Sequence, residues 1–139
     1  MSPEQSEISN LAAAKLSRIY GAAALILGAE ALAILGFLVW GLSLGQFRLL
    51  SADLTLVVLF LMAALWIGFA AWKIRAGARW ARSSAIFWQV AQVLLAYDSV
   101  TGRGANWAIG VALTASAVVV LALLFSRPVI AAARQDQTQ

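Results

Sequence analysis

Glu30 lies inside the run YGAAALILGAEALAILGFLVWG, residues 20–41, and no Lys or Arg occurs between Arg18 and Arg48. An ionised carboxylate in such a run is costly in lipid unless something receives its charge. Three arrangements meet that cost: a polar lock between helices, a proton or cation held at the carboxylate, or a contact with another membrane subunit. Gln89 and Gln92, in SSAIFWQVAQVLLAYD, are three residues apart and share one face of a helix. Depth alone places Gln92 beside Glu30 if the first and third apolar runs pack together. Trp66 and Trp88 lie deeper in their runs than the other tryptophans and offer either core packing or an aromatic wall around a cation. Asp53, Asp98, Arg48 and Arg103 fall at segment ends and form an outer-face polar set. There Asp53 suits the start of a helix dipole, and Asp98 is expected to pair with Arg103 or Arg48.

Other chemistries are excluded by residue type. The chain has no Cys and no His. It therefore carries no thiolate site, no Cys/His zinc site and no Ser-His-Asp or Cys-His mechanism. Phosphate-loop, dinucleotide-binding, calcium-loop and zincin patterns are absent. Glu30 and Asp98 belong to different depths of one membrane, so they do not form the carboxylate pair of a glycosidase. The expectation is a protein that is not an enzyme and takes no metal or other cofactor.

Those residues need elements to hold them. Of 139 residues, 63% are hydrophobic and 12% are charged, and the charges collect at segment ends. A water-exposed domain of this size needs more polar surface than that, whereas lipid removes the need. Four apolar runs of near-spanning length cover residues 17–40, 54–72, 83–100 and 107–125. Each must be helical in lipid to satisfy its own backbone. The expected fold is all-α: an antiparallel four-transmembrane-helix bundle forming one membrane domain over residues 1–139. A polar N-terminal extension, 1–16, reads as an interfacial prolongation of the first helix and carries no signal-peptide pattern. The joints hold turn and cap residues: Ser51 and Asp53, Gly77, Gly102 with Gly104 and Asn106, and Pro128 as a helix stop before a short tail.

Charge sets the orientation. Lys15 and Arg18, the loop residues Lys73, Arg75, Arg79 and Arg82, and then Arg127 and Arg134 all fall on one side of an even-numbered topology. Only Arg48 and Arg103 fall on the other. The positive-inside rule places both termini and the central loop in the cytoplasm, in a bacterial inner membrane. The basic patch Lys73, Arg75, Arg79 and Arg82 fits topology control and anionic lipid headgroups, not nucleic acid. Trp40, Trp72, Trp80 and Trp107 fall near the interfaces as anchors. Small residues recur at Gly21, Ala24, Gly28 and Ala31, at Ala64 and Gly68, and at Ala108, Ala112 and Ser116. They allow close helix approach, within this chain, in a homo-oligomer or in a larger membrane complex.

The second half, from RAGARWARSS through TGRGAN to LLFSRP, resembles a group of small four-span membrane proteins of high-GC Gram-positive bacteria (actinobacteria). The shared features are the basic Arg79-Trp80-Ala81-Arg82 loop, Gln89 in the third span, the glycine turn 102–104 and the exit Ser126 to Pro128. That resemblance implies class and origin and no particular activity. Glu30 also makes the chain similar to small multidrug resistance transporters, which hold a proton or a cationic substrate on a first-span glutamate at a dimer interface. The chain departs from them in length, in its N-terminal extension and in its basic central loop. The leading functional expectation is an accessory or scaffold subunit. The alternatives are a proton-coupled exporter of lipophilic cations using Glu30, with Trp66 or Trp88 lining its site, and a lipid-binding membrane protein.

Overall fold

A computed structural model of the chain describes residues 3–45, 51–102 and 106–135. Among these the regular structure is helical: α1 (Pro3–Ser43), α2 (Ser51–Arg75), α3 (Arg79–Thr101), α4 (Trp107–Leu124) and α5 (Arg127–Gln135). Three of them, α1, α2 and α4, hold segments long and apolar enough to cross a membrane. The chain is an all-α, polytopic membrane protein.

The four expected spans are thus matched by three such helices. The expected third span, 83–100, lies in α3 but lacks the apolar character of the others. Ser83, Ser84, Gln89, Gln92, Asp98 and Ser99 interrupt it, and Arg79 and Arg82 open its helix. Its buried residues explain the composition: Ala81, Ala85, Gln89, Gln92 and Ala96 repeat at intervals of three to four and turn the amides inward. Phe87, Leu94 and Leu95 face outward.

α1 has 41 residues, roughly 62 Å of helix, about twice the hydrocarbon thickness. The polar stretch 3–16 is continuous with the apolar part, without a break at the expected boundary. α2 ends in a Schellman closure. The Ala78 N–H donates to the Lys73 carbonyl (3.2 Å) and the Gly77 N–H to that of Ile74 (3.0 Å). Gly77 has φ +74°, a left-handed conformation that lets α3 start two residues later. α4 begins at Asn106, whose side chain accepts from the Ile109 N–H at 3.3 Å. α4 stops at Leu124, before Pro128. Pro128 falls in the first turn of α5, where its missing N–H costs nothing. The segment expected as a tail therefore begins with a short helix, and its Val129 is buried.

Neighbouring helices run round a ring, with α1 on α2, α2 on α3, α3 on α4 and α4 back on α1. Pairings along each seam give the directions. Phe37 meets Phe60 and Ala31 meets Gly68, so α1 and α2 are antiparallel. Val100 and Ala96 lie beside Gly110 while Gln92 reaches Ser116, so α3 and α4 are antiparallel. Tyr20 meets Arg82, and Glu30 meets Trp88 and Gln89, so α1 and α3 run the same way. They sit diagonally across the ring. The core between the helices is thin and built from small and branched residues, among them Ala23, Leu27, Ile67, Ile74, Ala85 and Val120. Most long apolar side chains, such as Leu25, Leu32, Leu65, Phe87, Leu94 and Val118, point outward. In water such a surface would associate or aggregate, but in lipid it is the solvated face.

Candidate functional site

Glu30 is the centre of a polar cluster that joins three helices. Its Oε2 accepts from Trp88 Nε1 at 2.9 Å and from Gln89 Nε2 at 3.4 Å. Its Oε1 accepts from the Ser116 hydroxyl of α4. The Ser116 oxygen in turn accepts from Gln92 Nε2 at 3.4 Å. The hydrogen bonds therefore all run toward the carboxylate, two from α3 directly and one from α3 through α4. Such a set of donors is what a carboxylate needs when it is removed from water.

The sequence grammar of α3 builds this arrangement. Trp88, Gln89 and Gln92 cover less than two turns, and 88 and 92 stand four apart. Gln89 is 0% and Gln92 2% exposed, while Trp88 and Glu30 are half-buried. The amide donors are thus inside, and the Trp88 indole closes one side. Gly110 lets α4 come close enough for Ser116 to take part. A Cβ at that position would stand 3.0 Å from the Ala96 carbonyl oxygen and collide with the Val100 side chain. Two acceptors in the cluster, Gln89 Oε1 and Gln92 Oε1, are shut off from solvent and have no donor. A buried carbonyl left in that state costs about 1–3 kcal/mol.

The sequence-derived residues separate into groups. Glu30, Gln89 and Gln92 come together, but the direct amide on Glu30 is Gln89, and Gln92 acts through Ser116. Trp88 joins them. Trp66 does not: it is 54% exposed and its ring packs at 5.9 Å from Trp80, on the outside of the α2–α3 hairpin. Asp53 lies in the first turn of α2 and Asp98 near the end of α3, about 14 Å along the helix from Gln89. Arg48 and Arg103 lie outside the described residues, as does the expected pairing of Asp98 with either.

The basic patch is also split. Lys73 lies over the Trp72 ring at 4.5 Å and near the Phe69 ring at 5.6 Å. Arg75 and Arg79 are exposed. Arg82 turns inward and donates to the Tyr20 hydroxyl at 3.3 Å, tying α3 to α1 at the basic end of the bundle. With Trp66, Phe69, Trp72 and Trp80 in ring contact, this end carries an aromatic belt around the basic residues.

Ser116 is the cluster member that the sequence reading assigned to another role. It counted there as one of three small residues on α4. The signal that singles it out is polarity: in WAIGVALTASAVVVLALL only Thr114 and Ser116 bear hydroxyls. Thr114 spends its hydroxyl on the Gly110 carbonyl of its own helix, at 2.8 Å. Ser116 is left to cross to α1.

A groove of about 680 Å³ runs along the outer seam of α1 and α2, with Ala24, Gly28, Ala31, Leu32, Ala64 and Gly68 among its walls. It is apolar, and Glu30 does not line it. Comparison with protein families, with curated proteins and with solved structures finds no match to this chain.

Proposed function

We propose that this protein is a small integral membrane subunit that docks sideways, through the outer seam of α1 and α2, on a larger membrane assembly. The observation that carries the reading is the set of glycines Gly21, Gly28 and Gly36. They stand seven and eight residues apart on α1, and a Cβ added at any of them would meet nothing within 4 Å. A glycine in a helix interior costs about 1 kcal/mol relative to alanine. The chain's own packing gains nothing from these three. A second helix approaching the α1–α2 groove would use the missing side chain of Gly28, which lines it, and Gly21 and Gly36 leave further room along the same helix.

In this reading α3 crosses the membrane as a fourth span. Support comes from its course antiparallel to α4 and parallel to α1, with the two amides at its middle, Gln89 and Gln92, turned into the bundle, where lipid does not meet them. The excess of Lys and Arg at the end formed by Tyr20, Lys73, Arg82 and Arg127 supports cytoplasmic termini and a cytoplasmic α2–α3 turn. The resemblance to four-span proteins of high-GC Gram-positive bacteria supports a bacterial inner membrane. The Glu30 cluster acts as the interhelical lock that holds the docking surface in shape. No catalytic role is assigned.

Filling the groove tests the reading. In Gly28→Leu the isolated chain keeps its helicity and thermal stability, but it loses the membrane protein that co-purifies with wild type at native expression. The chain contains no Cys. A single cysteine at Leu25, on the wall of the groove, should therefore cross-link to that same protein in native membranes. A wild-type chain that leaves native membranes as a lone monomer contradicts the reading. A lipid that occupies the groove and is lost in Gly28→Leu would favour the lipid-binding alternative.

A further inference from the structure

We infer that Arg82 and Tyr20, with Arg79 one turn nearer the end of α3, form a site for the phosphate of one anionic phospholipid headgroup. The inference rests on the basic end of the bundle and not on the docking seam. Arg82 is half-buried, and its hydrogen bond among the described residues goes to the Tyr20 hydroxyl at 3.3 Å. A guanidinium carries five N–H donors in a planar fork, and a neutral hydroxyl takes one of them and none of the charge. A cation drawn out of water in this way is ordinarily paired with an acid.

The sequence places no acid at this end among the described residues. No Asp or Glu occurs between Glu7 and Glu30, between Asp53 and Asp98, or between Asp98 and Asp136. Along α1, Glu30 lies about 15 Å from Tyr20 in one direction and Glu7 about 20 Å in the other. The first turn of α3 holds no acidic residue, and Arg79 stands three residues before Arg82 on the same side of that helix. Two neighbouring arginines thus share a side of α3 without an acidic partner among the described residues.

Donor chemistry selects phosphate. The Tyr20 oxygen accepts from Arg82, which leaves the hydroxyl proton to donate elsewhere. Tyr20 is only 8% exposed, so packing of its ring fixes where that hydroxyl stands. Two guanidinium forks and one O–H form a donor-only set, complementary to phosphate oxygens. Depth selects a lipid as the source. Trp80, between the two arginines in sequence, packs at 5.9 Å from Trp66 and 5.4 Å from Phe69. Such a belt marks the boundary between hydrocarbon and headgroups, where basic pockets between helices meet lipid phosphates. The unbalanced positive charge favours a net anionic headgroup over a zwitterionic one.

The test uses the full chain in mixed micelles of a mild non-ionic detergent, with phosphatidylglycerol exchanged for phosphatidylcholine of the same chains. The melting temperature should rise saturably, by at least about 3 °C, with phosphatidylglycerol and not with phosphatidylcholine or inorganic phosphate. Arg82→Gln should abolish the response. Arg82→Lys keeps the charge but not the fork and should raise the half-saturating lipid fraction about tenfold. Arg127→Gln removes the same charge from an exposed position at this end and should retain the response, as should Gly28→Leu in the α1–α2 groove. Where Arg82→Gln does not fold, native mass spectrometry of the wild type should show one phosphatidylglycerol retained per chain under conditions that strip phosphatidylcholine. The proposal is overturned by a response that survives Arg82→Gln, or by one lost equally in Arg127→Gln, which is general charge screening. Equal stabilisation by inorganic phosphate overturns the headgroup assignment, and loss of the response in Gly28→Leu moves the lipid to the groove and overturns it too. Failure of the wild type to retain phosphatidylglycerol has the same consequence.

Discussion

A single carboxylate organises the interior because the donors that reach it come from two other helices. Trp88 and Gln89 approach from α3 and Ser116 from α4, while Glu30 stands on α1. Ser116→Ala removes the link between α4 and α1 and leaves Gln92 Nε2 without its acceptor. The expected loss is about 1–3 kcal/mol, read from unfolding in detergent with a denaturing surfactant. Trp88→Phe keeps an aromatic ring of smaller size and removes the N–H, with an expected loss of about 1–2 kcal/mol in the same measurement. At this scale much was legible. Glu30 was conspicuous as the one charge in an apolar run, and Gln89 and Gln92 as the amides nearest in depth. The order of contacts was not legible, because it depends on how far each helix is rotated. Residues 89 and 92 stand about 60° apart around the helix, so a rotation of that size decides which of them faces the carboxylate. Ser116 was hidden among small residues whose common signal is close packing.

Helix seams in this chain are of two kinds, and glycines tell them apart. Gly110 sits where α4 presses on α3, and Gly110→Ala drives a Cβ to 3.0 Å from the Ala96 carbonyl oxygen and into Val100. The expected cost is about 1–3 kcal/mol, with partial loss of the Gln92–Ser116 contact. Gly28→Ala meets open space and should leave the isolated chain unchanged or up to about 1 kcal/mol more stable. Opposite behaviour of this pair in one thermal series would contradict the assignment of inner and outer seams. Gly77→Ala, at φ +74°, should cost about 1 kcal/mol through the α2–α3 turn. Sequence reading placed the helices well because apolar runs and turn residues are local signals. It missed α5, since Pro128 stops one helix and opens another equally well, and the choice depends on Val129 finding a buried position. It also counted the third run as a span, although its polar residues lower its hydropathy and make sense only once α3 is packed.

As a whole, the protein turns an ordinary soluble fold inside out. Small and branched residues and a polar cluster lie inside, and most of the Leu, Val, Phe and Trp side chains lie outside. The basic end, where Arg82 joins Tyr20 and Lys73 lies over Trp72, is suited to an anionic headgroup layer. Composition made the membrane setting legible, since 63% hydrophobic residues exceed what a chain of this length can hide from water. The course of α3 follows less directly, because its apolar character alone does not require it to cross. A four-span bundle requires that helix to cross the bilayer with its amide face enclosed. Single cysteines at Ala76, before α3, and at Thr101, at its end, can be probed in intact cells with a membrane-impermeant maleimide. Thr101→Cys should be labelled from outside, and Ala76→Cys only after the cells are opened. Equal labelling of both positions from the same side would place α3 along the surface and contradict the four-span bundle.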